Sequence, residues 1–186
     1  MLHSPIRPGV TLVLRELEPD LFVYTCPQSG GVWIPLQSYL AWRRRQDGEL
    51  QSPYTSDGAE PADDSKRGAL ICPESGRVLI RYKVGHGLSF HVDVSPETGG
   101  IWLDSGKWQA LKSKGLHLEL NAIATVSYQR RIRSDEHEHA VAETFRRRIG
   151  RDSFDKAAEF KRWLACHPRR RHIRSYLLYD INDEDE

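Results

Sequence analysis

Leu88, Phe90, Val92 and Val94 occupy alternate positions of the chain, so an extended backbone carries all four on one face. With the apolar run Val78 to Val84 before it and Gly85 and Gly87 between, the pattern predicts a β-hairpin. Another hairpin is predicted from Val10 to Leu17 and Leu21 to Thr25, closed at "EPD", where Pro19 presets the turn. Each hairpin leads through a second turn to a short helical segment, "LQSYLAWRRR" after the first and "GKWQALKSK" after the second. Past Gly115 the pattern turns helical. Thr125 is the expected N-cap of a long helix that carries Val141, Ala142, Phe145 and Ile149 along its later turns and ends at Gly150. Asp152 and Asp155 resemble a capping box for "SFDKAAEFKRWLACH", in which Phe154, Ala157, Ala158 and Leu164 line one side. Pro168 stops that helix, and "RRRHIRSYLLY" predicts a last one that offers Ile173, Tyr176, Leu177 and Leu178 to a small helical cluster. The expected class is α+β, with two small β-hairpin units followed by a C-terminal helical region.

The hairpin units repeat one another. Ser4 to Trp42 aligns with Cys72 to Leu111: in each, an x-Pro turn, an apolar run, a tight turn, a second apolar run and another x-Pro turn lead to Gly-Gly, a β-branched residue and Trp. "CPQSGGVWIP" in the first unit thus corresponds to "SPETGGIWLD" in the second. The chain divides on this reading into a first unit at 1–45, an acidic and polar linker at 46–67, a second unit at 68–115, a basic helical region at 116–179 and an acidic tail at 180–186.

A turn of the form C-P-x-C-G exists to bind zinc. Two thiolates two residues apart grip one ion, amides around the turn donate to the sulfurs, and glycine takes the positive φ that the turn needs. In this chain the eight thiolate positions are held by Ser4, Arg7, Cys26 and Ser29 in the first unit and by Cys72, Ser75, Ser95 and Thr98 in the second. Hydroxyls are poor zinc ligands and Arg7 repels a dication, so neither unit is expected to hold structural zinc on its own, and no cofactor is expected. In a small finger zinc supplies on the order of 10 kcal/mol of folding free energy. Burial of Trp33, Trp42, Trp102 and Trp108 is the expected replacement, with the hydroxyls bonding the amides that would otherwise face sulfur.

Through "CPESG", "CPQSGGVWIP" and "SPETGGIWLDSGKW" the chain resembles the small zinc ribbons named after transcription factor IIB, with their two knuckles and their Gly-Gly-x-Trp-Leu-Asp-x-Gly segment. The resemblance spans residues 1–115, twice over, and "FDKAAEFKRWLACHPRRRHIRSYL" is similar to an extension attached to some of these proteins. It implies a duplicated, degenerate ribbon and a place in transcription or another nucleic-acid machine.

Charge changes the picture only when read by segment. The net charge is +1, yet from Arg130 to Arg174 fourteen Lys or Arg face seven acids, while "DINDEDE" ends the chain. Phosphate contact is one use for Arg43, Arg44, Arg45, Arg169, Arg170 and Arg171, with Trp42, Trp163 and Tyr176 nearby for stacking. A solvated or carboxylate-paired surface is the other. No Gly-rich phosphate loop, nucleophile elbow or Cys-His arrangement occurs, so the chain is not expected to be an enzyme. Asp104 is expected to cap a helix, and His137 and His139 to lie on a solvated face. Cys26 and Cys72 are either small buried hydrophobes or, with His86 or His91, a salvaged metal site. Three widely spaced cysteines, no apolar run of membrane-spanning length and no secretory signal at the amino terminus point to the cytoplasm. A non-enzymatic protein that docks on a protein partner is expected, with direct DNA or RNA binding as the alternative and no membrane partner.

Overall fold

The computed structural model describes residues 1–46 and 68–179, so the acidic tail and, apart from Gln46, the linker lie outside the described residues. The class is α+β. Six strands, β1 (Val13–Glu18), β2 (Leu21–Thr25), β3 (Val32–Ile34), β4 (Ile80–Gly85), β5 (Leu88–Val94) and β6 (Ile101–Leu103), form one antiparallel sheet in the order β1-β2-β3-β6-β5-β4. The two hairpins are thereby fused. β3 pairs with β6 through Val32 opposite Leu103, Trp33 opposite Trp102 and Ile34 opposite Ile101. The order and the register are those of a two-fold axis between Trp33 and Trp102, each repeat contributing its third strand to the centre and its first strand to an edge.

Strand alternation then assigns two cores. Val32, Ile34, Ile101 and Leu103 face α1 (Leu36–Arg45) and α2 (Lys107–Ser113), which bring Tyr39, Trp42, Trp108 and Leu111. Trp33 and Trp102 point to the opposite face, where Leu12, Leu70, Leu79, Cys26 and Cys72 cover them. Both indoles are wholly buried. This second core explains why the edge strands start later than the apolar runs predict, at Val13 and Ile80: Leu12 and Leu79 leave the sheet to roof the tryptophans. It also explains the Gly-Gly pair, since a Cβ on Gly31 would overlap the Trp102 ring and one on Gly100 the Trp33 ring.

A turn at Leu116–Leu118 and α3 (Leu120–Ile123) follow α2, and the start of α4 (Val126–Ile149) completes the first core. Three hydrogen bonds tie these elements down. Tyr39 donates its hydroxyl to the His117 carbonyl (3.0 Å) and accepts from the Leu120 amide (3.1 Å), and Tyr128 donates to the Val84 carbonyl (2.9 Å). The Thr125 hydroxyl accepts from the Tyr128 amide at 3.3 Å, as expected of the cap of α4.

The described chain divides into two compact units between Arg133 and Ser134. In the second, α4 continues to Ile149 and is followed by α5 (Arg151–Cys166) and α6 (Arg170–Tyr179). No residue from 134 to 179 is buried. The expected cluster around Ile173 therefore does not form: Ile173 is half-buried and Tyr176, Leu177 and Leu178 are exposed. The capping box is also absent. Arg151 is already helical after Gly150, so Asp152 lies inside the first turn without a side-chain cap bond, and Asp155 turns toward Arg151 and Arg146.

Candidate functional site: four knuckles and a helical arm

Four turns carry the eight ligand positions, and they share one hydrogen-bond plan. At three of them the amide three residues on donates to the first side chain: Arg7 to Ser4 Oγ (3.2 Å), Ser75 to Cys72 Sγ (3.4 Å) and Thr98 to Ser95 Oγ (3.2 Å). At three the amide two residues beyond the second position donates back: Gly31 to Ser29 Oγ (3.3 Å), Arg77 to Ser75 Oγ (3.4 Å) and Gly100 to Thr98 Oγ1 (3.3 Å). Five of these six acceptors are hydroxyl oxygens and the sixth is the Cys72 sulfur, so the turns' own side chains satisfy the amides.

The eight positions gather as two sets, one per repeat. Cys26 is in hydrogen-bond contact with the hydroxyls of Ser29 and Ser4, and Cys72 with those of Ser75 and Ser95. Burial raises both thiol pKa values. These hydroxyl contacts and neighbouring backbone amides outweigh it, so both lie below the ordinary thiol value. Each set offers a cation one thiol and otherwise neutral hydroxyls, or in the first repeat the guanidinium of Arg7. Such a donor set does not fit zinc, which takes its structural ligands from thiolate and imidazole. His86 is not gathered to the two cysteines: its ring lies 5.9 Å from that of Tyr128, a member of the other core. Among the described residues no group of three or more His, Cys, Asp or Glu is placed to hold a metal.

Asp104 does not cap α2, which begins after Gly106 in a left-handed conformation. Its carboxylate instead accepts from Trp102 Nε1 (3.0 Å) and pairs with the buried Lys107 Nζ (2.8 Å). Lys107 also donates to the His91 carbonyl at 2.7 Å, which makes this corner a brace for β5 and β6.

The arginine clusters fare differently from each other. Arg43 donates to the Leu118 carbonyl (2.8 Å) and Arg45 to that of Asp20 (3.1 Å), so both help hold α1 to the body, and Arg44 is exposed. Arg169, Arg170 and Arg171 are all exposed on the arm. His137 and His139 are exposed on α4. Two features were not anticipated from the residues. His117 is 2% exposed among Trp42 and Trp108, and its Nδ1 finds no hydrogen-bond partner among the described residues. Burial, with Lys112 and Arg43 nearby, holds its pKa down at about 4 against the pull of Glu18. Phe160 and Trp163 on α5 and His167, the residue that follows it, form a row with ring centroids 5.3 and 4.9 Å apart. The i, i+3, i+7 spacing carries a signal for that row.

No family model, no curated protein and no solved structure matches the chain. No helix among the described residues is long and apolar enough to cross a membrane.

Proposed function

We propose that the protein is a non-enzymatic adaptor: two metal-free ribbon-like units form its body, and its helical arm docks on a protein partner. The resemblance to transcription-factor-IIB-type ribbons suggests that the partner belongs to transcription or another nucleic-acid machine. The arm carries the argument. The body buries its own tryptophans, whereas residues 134–179 bury nothing and leave Phe145, Ile149, Phe160, Trp163, Leu177 and Leu178 exposed. Apolar side chains at this density, rimmed by charge, mark a surface that another chain covers.

Affinity capture with the full-length protein after nuclease digestion, followed by a binding isotherm with the purified partner, tests this. A stoichiometric partner whose affinity changes little with salt, and is lost in Phe145→Ser/Ile149→Ser, is the expected result. Loss of every partner on nuclease digestion, or full binding by the variant, would overturn it.

A further inference from the structure

The stretch from Phe160 to Tyr179 contains Lys161, Arg162, Arg169, Arg170, Arg171 and Arg174 and no acidic residue; the acids of α5, namely Asp152, Asp155 and Glu159, all precede it. All six cations are exposed, and no carboxylate among the described residues pairs with them. Arg162 and Arg170 reach only helix carbonyls, those of Ala158 at 3.4 Å and Ala165 at 3.2 Å. Arg146, by contrast, holds Glu143 at 2.6 Å. Phosphate would therefore meet cations that no carboxylate among the described residues has neutralised.

Beside them lies the aromatic row. Phe160 and Trp163 lie on one stripe of α5, the half-buried His167 follows its last residue in an extended conformation, and the exposed Lys156 stands one turn before Phe160 on the same side. Neighbouring rings are tilted by 34° and 43°, and Trp163 is 51% exposed. The other four tryptophans, Trp33, Trp42, Trp102 and Trp108, are buried. Accessible rings spaced along a helix and flanked by cations suit unstacked bases on a flexible backbone better than a duplex, whose bases are already stacked.

We infer that α5 and α6 carry a sequence-tolerant site for single-stranded nucleic acid, with Phe160, Trp163 and His167 stacking bases and Lys161, Arg162, Arg169, Arg170, Arg171 and Arg174 following the phosphates. This goes beyond the adaptor role and does not rest on it.

Fluorescence anisotropy of the full-length protein with a labelled uridine oligonucleotide (rU) and thymidine oligonucleotide (dT) of about 20 nucleotides tests it. Both should bind, and more tightly than a duplex of equal length. The slope of log affinity against log salt should be about −3 to −4, as expected where most of six cations contact single-strand phosphates. Trp163→Ala should weaken binding about tenfold and Trp163→Phe far less, with quenching of the accessible indole fluorescence on binding. Phe145→Ser/Ile149→Ser should leave oligonucleotide binding intact, which keeps failure of this site distinct from failure of the adaptor role. Unchanged affinity in Trp163→Ala overturns the proposal. So does equal binding to poly-glutamate or to phosphatidylserine vesicles, which would make the arm a surface for an acidic chain or for lipid.

Discussion

Gly31 and Gly100 show how much one missing carbon decides. Each leaves the notch into which the tryptophan of the opposite repeat settles, so Gly100→Ala should destabilise the protein by about 2 kcal/mol or more, read from denaturant unfolding. His117 makes a second prediction at this scale. Its neutral form is buried at a pKa of about 4, whereas in the unfolded chain it titrates near its ordinary value of 6.5. Between those values the unfolded state binds the extra proton. Stability contributed by His117 is therefore complete above pH 6.5 and is lost as the pH falls toward 4, by on the order of 3 kcal/mol. Urea titrations across that range should show a shallower pH dependence in His117→Leu than in the parent. The roles of Trp33 and Trp102 were legible because Gly-Gly-x-Trp is repeated, and a repeated large ring behind two glycines needs a buried seat. That of His117 was not, because Trp42 comes from one repeat and Trp108 from the other, and only the assembled sheet surrounds the imidazole with them.

At the scale of elements, the knuckle is the informative unit. Its side chains, most of them hydroxyls, satisfy the turn's own amides. Ser4→Cys, Arg7→Cys and Ser29→Cys made together with native Cys26 should create a four-thiolate site, and cobalt titration should then give the intense charge-transfer bands of tetrahedral thiolate coordination. The parent should give none, and chelator should leave its melting temperature unchanged. The second hairpin was readable from its period of two, and the first from its apolar runs and the turn at Pro19. The β3 to β6 pairing was not: each strand is three residues long, and so short a run carries no information about which strand lies beside it. The Asp152 capping box failed for a comparable reason. Its spacing was right, but the helix begins one residue too early for the aspartate to reach the free amides.

Over the whole molecule, the two compact units differ in what stabilises them. In residues 1–133 the sheet and two cores link both repeats, so unfolding of this unit should be a single transition, and Trp33→Ala should open the strands of both hairpins together in hydrogen exchange. In residues 134–179 helix formation has no buried side chain behind it, so amides there should exchange faster than those of β2, β3, β5 and β6 by several orders of magnitude. The sequence signalled that the C-terminal third is helical and basic. It gave no sign that the apolar stripes stay uncovered, because an amphipathic pattern is the same whether a helix meets its own body or another molecule.

The crossed seating of Trp33 and Trp102 has a consequence for how such a chain can change over time. A residue in one repeat is answerable to the size of a ring in the other, so neither copy is free to drift alone. Filling one notch should be forgiven only when the opposing ring shrinks, and Gly100→Ala with Trp33→Leu should recover much of the stability that each substitution forfeits by itself.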